Sequence, residues 1–349
     1  MRASLIQAKV LAFTALIAGG LALLTAKPAA AGPFHGVTTA GQLHPLDYLR
    51  MAGAGVGSVR VVIEWRYVEH TRGDFDWDYL DMLASRAKQF GVRLLPAVVA
   101  PGPPGTSAPP TDRASRKGFA RFLGNAAARY GKKGRFWDGG SDRYAIRSWQ
   151  IMNEVNGTPY WDGDPDAGQY AKILKAASRK IRKKDPRAKI MLSGMFFTPR
   201  APEAIESWNY LRQLYQAGAK GFFDTVAIHP YAKTLDGMVD GIQKMRDVIR
   251  KRKDRKVKLR ISEFGWGSAN CDTYCAGSPQ GQAQMLADAF RLLERKRKPW
   301  NIEAVNWFSW LDAPNLGCQH CPSTGLFTAN RQPKPSWEAF QEAAASVRR

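Results

Sequence analysis

Ser148-Trp149-Gln150-Ile151-Met152-Asn153-Glu154 and Leu259-Arg260-Ile261-Ser262-Glu263 are two short, largely apolar stretches, each closed by a glutamate. Runs of this length and composition read as buried strands. A carboxylate placed where such a strand emerges is desolvated on one side and oriented by its neighbours. Two of them facing each other can divide proton transfer and nucleophilic attack between them. Working outward, six more runs share the pattern: Gly36-Val37, Val59 to Ile63, Arg93 to Val98, Lys189 to Leu192, Thr225 to Ile228 and Ala304 to Phe308. Helical spacing lies between them. In Asp78 to Gln89 the apolar residues fall at Leu80, Leu83, Ala84 and Ala87, and Arg116 to Tyr130, Ala167 to Lys183, Ala204 to Ala217, Leu235 to Arg252, Pro279 to Glu294 and Ser336 to Ala344 behave alike. Alternating β and α units predict a parallel sheet, and eight of them predict the closed (β/α)8 TIM barrel, an α/β fold.

Residues 1–31 read as a signal peptide. Arg2 and Lys9 provide a basic start, Val10 to Leu24 an apolar run, and Ala29-Ala30-Ala31 a small-residue cleavage site before Gly32. That run is shorter than the roughly 20 residues of a membrane span. Residues 32–349 then form a single domain, because no Ser-, Gly- or Pro-rich linker divides them. The Pro-Gly segment from Ala100 to Pro110 follows a strand and reads as a loop over the site. The chain has 52 Lys and Arg against 30 Asp and Glu. Without the leader's Arg2, Lys9 and Lys27 the balance is 49 to 30, a net charge of +19. Much of the excess sits in Arg179 to Lys184, Arg250 to Lys258 and Arg295 to Lys298, at helix ends. A solvated basic surface and attraction to an anionic polymer or cell envelope both fit this pattern; no nucleic-acid recognition motif accompanies it. Cys271, Cys275, Cys318 and Cys321 suit two disulfides or one zinc site. Export favours disulfides, with three connectivities open.

In a barrel, the C-terminal strand ends converge on one face. Glu154 ends the fourth strand and Glu263 the seventh, and Arg60, Asn153, His229, Tyr231, Trp307 and Trp310 surround the same mouth. The ordered motifs Ile151-Met152-Asn153-Glu154 and Ile261-Ser262-Glu263-Phe264-Gly265 resemble the strand-four and strand-seven signatures of the clan A glycoside hydrolases. The segment Val59 to Trp65 with Gly73-Asp74-Phe75-Asp76-Trp77 is similar to the second βα unit of families 39 and 5. Ile228-His229-Pro230-Tyr231, Gly325-Leu326-Phe327 and Lys334-Pro335-Ser336-Trp337 fit the same pattern. The resemblance spans nearly all of residues 32–349.

It implies a retaining glycosidase that cleaves a β-linked or α-L-arabinosidic-type glycan through a glycosyl-enzyme intermediate, with Glu154 as general acid/base and Glu263 as nucleophile, their carboxyl groups about 5 to 5.5 Å apart. It further implies that Arg60 and Tyr231 hydrogen-bond Glu263, and that Asn153 binds the sugar 2-hydroxyl. His229 would orient the nucleophile or a sugar hydroxyl, with Trp307 as the platform under the sugar. Trp310, Trp161 and Tyr160 are additional candidates for the wall, whereas Glu64 and Trp65 receive no role. The mechanism requires neither metal nor cofactor. The expected partner is an oligo- or polysaccharide, anionic if the basic charge lines the cleft, with no nucleic acid and no membrane after leader removal. The expected location is secreted or envelope-associated. A transglycosylase using the same intermediate and a non-catalytic carbohydrate-binding barrel are the alternatives.

Overall fold

The computed structural model describes residues 34–137, 143–157, 160–197 and 201–346. Residues 1–31, which the sequence reads as a signal peptide, lie outside them. The barrel strands are β1 (His35–Thr38), β2 (Ser58–Glu64), β3 (Arg93–Val99), β4 (Ser148–Ile151), β5 (Lys189–Met191), β6 (Thr225–His229), β7 (Lys258–Phe264) and β8 (Ile302–Phe308). Every neighbouring pair is parallel, and β8 returns to β1, so the sheet closes in chain order. A short extension, Met195–Phe196, adds to β6 beyond the end of β5. The barrel helices are α1 (Pro45–Ala54), α2 (Asp78–Phe90), α3 (Arg113–Tyr130), α4 (Ala167–Lys184), α5 (Ser207–Gln216), α6 (Leu235–Lys251), α7 (Pro279–Lys296) and α8 (Pro335–Ser346).

The helix absent from the sequence reading is α1. Its start and stop signals are present: Pro45 stands in the first turn, and Gly55 follows in the left-handed region at φ 76°. Leu46 and Leu49 are exposed, however, which blurs the apolar period by which helices are read.

Alternation sorts the strand side chains. Val59, Val61 and Ile63 of β2 pack outward under the helices, in the same apolar layer as Ile261 of β7 and Val305 and Trp307 of β8. The barrel interior is narrower and partly polar. Leu95, Met191 and Ala227 form one small apolar layer. Toward the strand N-termini, the buried Arg260 donates to Ser58 Oγ at 2.7 Å and Asn306 Oδ1 at 3.0 Å. Burial lowers its pKa, with Glu303 opposing that shift.

The basic runs fall where helices α4, α6 and α7 end and the chain turns into β5, β7 and β8. This is the face of the strand N-termini, opposite the glutamates. Cations there are also favoured by the helix dipoles.

Candidate active site

Two different backbone devices present the glutamates. At the end of β4 the chain leaves strand geometry abruptly, with Met152 at φ 63° and Glu154 at φ 41°. Left-handed backbone at non-glycine residues is sparsely populated and persists where surrounding contacts enforce it. Those contacts are backbone hydrogen bonds from Met152 N to Val98 O (2.8 Å) and from Glu154 N to Gly194 O (3.1 Å). On β7, strict alternation would put Glu263 on the helix side with Leu259 and Ile261. Pairing with β8 instead slips between Ile261–Val305 and Phe264–Trp307, three residues of β7 spanning two of β8. This bulge turns Glu263 into the mouth.

Arg60, buried on the inward face of β2, ties the site together. Its guanidinium donates to Glu263 Oε1 at 2.7 Å, Asn153 Oδ1 at 2.6 Å and Gln150 Oε1 at 2.8 Å. Tyr231 donates its hydroxyl to Glu263 Oε2 at 3.0 Å, so both carboxylate oxygens of Glu263 are engaged. His229, fully buried at the end of β6, places Nδ1 2.7 Å from Glu154 Oε1 and Nε2 3.5 Å from Glu263 Oε1. One carboxylate oxygen of each glutamate and a His229 nitrogen all lie within 4.8 Å of one another. A ring fits there because residue 194 is glycine: a Cβ on Gly194 would stand 2.0 Å from His229 Nε2.

The carboxylates open into a cavity of ≈ 800 Å³, within the range of about 300 to 1,000 Å³ for ligand sites. Its walls are the β1 exit from Thr38 to Leu43, Tyr79 and Leu83 of α2, Tyr160, Phe308 and the loop around Leu316, Cys318 and His320. Burial, with Glu154 and Glu263 adding to it, pushes the Tyr160 phenol up to about 12, so it remains a neutral hydrogen-bonding group at ordinary pH. The charged side chains on this wall, among the described residues, are Arg60, Glu64, Glu154 and Glu263. The basic runs do not reach it.

Two tryptophans stand elsewhere. Trp307 is fully buried on the outward face of β8, packed on Phe264 and donating Nε1 to Thr324 O at 3.0 Å, so it is not the sugar platform. The β8 aromatic that lines the cavity is its neighbour Phe308, on the opposite face of the strand. Trp310 is also fully buried, against Phe327 and Trp337. Trp161 turns inward and donates to Asp164 O. Trp65 fills the space beside Gly102 and Gly118, where a Cβ on either glycine would collide with its indole. The Pro-Gly segment therefore packs on Trp65, and no residue from 100 to 110 lines the cavity. Glu64 does line it, paired with Arg66 at 2.7 Å.

The cysteines are paired within each motif, Cys271 with Cys275 and Cys318 with Cys321, and none is free. The two loops meet at the rim: Ser268 N donates to Ser323 O at 2.9 Å. Tyr274 stacks on Tyr231 with ring centres 5.6 Å apart, and His320 lies 5.0 Å from Tyr231. The disulfide loops thus buttress the tyrosine that holds Glu263.

Gln150, Gly194 and Phe308 escaped the sequence reading. A signal existed for Gln150, a polar residue between outward-facing Trp149 and Ile151 of a buried strand. Gly194 carries none without the position of His229.

No family model matches this chain, and no curated protein matches it. Solved structures do. A family 39 glycoside hydrolase from the gut symbiont Bacteroides cellulosilyticus WH2 superposes with a TM-score of 0.65 at 19% identity, over 91% of this chain and 64% of that one. A GH5_18 structure from Streptomyces cattleya in complex with GlcNAc gives 0.64 at 18%, over 92% and 81%. A study of two fungal β-1,4-galactanases gives 0.61 at 19%, over 88% and 93%. At these identities the likeness is one of fold. The chain is a (β/α)8 barrel, and its structural neighbours are glycoside hydrolases.

Proposed function

We propose that this protein is an exported retaining glycoside hydrolase acting on a neutral β-linked glycan. The observation that carries the reading is the approach of Glu154 and Glu263 within 4.8 Å, with Arg60 and Tyr231 on one and His229 between them. Retaining enzymes hold their carboxyl groups about 5 to 5.5 Å apart, and a gap of about 6.5 to 9.5 Å would leave room for an attacking water.

In the proposed reaction Glu263 attacks the anomeric carbon while Glu154 protonates the departing oxygen. The carbon–oxygen bond to the leaving group breaks as the bond to Glu263 forms. Water then enters, Glu154 takes its proton, and the glycosyl–Glu263 ester is cleaved with net retention. Arg60 and Tyr231 hold Glu263 in one orientation through both steps. Asn153 Oδ1 accepts hydrogen bonds from Arg60 and Gln150, which turns its amide NH2 away from them, toward Tyr160 and the space for a sugar hydroxyl. Phe308 takes the platform role expected of Trp307. A neutral substrate is supported by the wall, where the one Lys or Arg among the described residues, Arg60, is already engaged by Glu263. Export is supported by the leader-like residues 1–31 and by the paired cysteines, which suit an oxidising compartment. An N-terminus at Gly32 in protein recovered outside the cell would test it.

The deciding experiment offers the protein and its Glu263→Ala variant a panel of neutral and acidic polysaccharides and aryl glycosides, with anomeric NMR of the first product. Retained configuration, lost in the variant, supports the reading, and inverted product removes Glu263 as nucleophile. Sugar transfer in place of hydrolysis makes the protein a transglycosylase. Equal glycan binding by both proteins without turnover makes it a binding barrel.

A further inference from the structure

The segments Arg179–Lys189, Arg250–Lys258 and Arg295–Lys298 contain 18 of the chain's 52 basic residues and two acidic ones, a net +16 of the total +22. Each is an αβ connection, and β5, β6, β7 and β8 are consecutive around the barrel, so the three segments share the face at the strand N-termini. Fourteen of the 18 cations are exposed. The two acids are used inward: Asp185 is buried beside Arg147, and Asp254 accepts the Tyr215 hydroxyl at 3.1 Å. Asp224, between the segments, is engaged by Arg182 and Lys189. Lys220 Nζ reaches Arg252 O at 2.8 Å, linking the α5–β6 turn to the second segment. Beside that segment is a hollow of ≈ 540 Å³ lined by Arg246, Arg250, Arg255, Asp247 and Trp300.

We propose that this face is a docking surface for an acidic polysaccharide, which holds the barrel with its mouth directed away. A field concentrated on one face raises the local density of polyanion and speeds capture. The same surface is poor in other recognition chemistry. The exposed large hydrophobics among the described residues are Leu46, Leu49, Tyr67, Tyr79 and Leu316, none of them in these segments. Single-stranded nucleic acid is held by stacking on exposed aromatics, and membrane surfaces by apolar wedges; the three segments present neither, and Trp300 of the hollow is buried. The disulfides add that the chain suits an oxidising compartment, such as the cell surface, where a polysaccharide partner is within reach.

The test measures binding of the full chain to immobilised polygalacturonate at increasing NaCl, with dextran as the neutral control. Duplex DNA and phosphatidylglycerol vesicles serve as the competing classes. Two triple variants, Lys183→Glu/Lys184→Glu/Arg187→Glu and Arg250→Glu/Lys253→Glu/Arg255→Glu, are each expected to weaken binding about tenfold and to flatten its salt dependence. The exposed triple Arg72→Glu/Arg113→Glu/Lys117→Glu, near the mouth, makes the same change in net charge and should leave binding within about twofold, since charges beyond a Debye length of ~10 Å are screened. Thermal unfolding of each variant checks the fold, and the salt dependence of the unaltered protein is a second readout. Equal loss in all three variants, no binding at low salt, or tighter binding to DNA or vesicles would overturn the proposal. Because the readout is binding, a catalytically silent protein that still bound polygalacturonate would sink the proposed hydrolysis alone.

Discussion

The exits of β4 and β7 present the same side chain by opposite means. Glu263 stays within its strand, re-aimed by a bulge and fixed by a guanidinium and a phenol. Glu154 lies beyond its strand on left-handed backbone, anchored by Gly194 O and facing His229. On the proposed reading, a nucleophile that attacks the anomeric carbon in one step and leaves it in the next gains from a rigid clamp on both oxygens. On the same reading, a group that gives up a proton and later takes one gains from a titratable neighbour such as His229. The difference teaches how environment can divide the proposed roles of two identical carboxylic acids.

The largest expected effect is at the β7 exit. Glu263→Ala should reduce kcat by at least ~10⁴-fold, and added azide should restore turnover with inverted configuration, because the small anion enters where the carboxylate stood. Rescue with retained configuration would break the assignment. At the β4 exit, Glu154→Gln should cost about 10²- to 10⁴-fold on substrates with poor leaving groups. Dinitrophenyl glycosides, which leave without a proton, should be nearly spared in the bond-breaking step. A loss independent of leaving group would erase the distinction between the exits.

Smaller changes sharpen it. Tyr231→Phe removes one hydrogen bond to a charged group, a contribution of about 1.5 to 3 kcal/mol, so kcat/KM should fall by roughly ten- to a hundredfold with little change in thermal midpoint. Gly194→Ala forces a methyl against His229 and should destabilise the fold by about 1 to 3 kcal/mol in denaturant melts. The smallest effect lies away from both exits. Asp112 caps α3 by accepting from the backbone N–H groups of Ala114 and Ser115, and its pKa is lowered, chiefly by hydrogen bonds from Ser115. A group with a depressed folded pKa stabilises above its unfolded value and loses that contribution as pH falls. Asp112→Ala should therefore cost about 1 kcal/mol at neutral pH, an increment that shrinks as pH drops below about 4.

Much of this architecture could be read from the chain. The eight β runs fall at the observed strands because buried parallel strands are continuously apolar and short. Helix α1 was lost because its exposed leucines mask the period that α2 displays. Trp307 failed as a platform for the same reason Phe308 succeeds: side chains alternate faces, so one position separates the core from the cavity. Arg60 and Tyr231 were readable as partners of Glu263 only through the resemblance, since nothing local in their sequence links β2, β6 and β7.

By itself, then, the sequence determined the barrel, the two glutamates at the ends of strands four and seven, and the presence of a large basic excess. These are properties of hydrophobic period, residue type and composition, which are local. Only the tertiary structure decided that a bulge turns Glu263 inward, that Gly194 admits His229 between the carboxylates, that cysteines pair within their own loops, and that the positive charge faces away from the cleft. Each of those depends on which distant segments the closed sheet brings together, and contact across a closed barrel leaves no period in the chain.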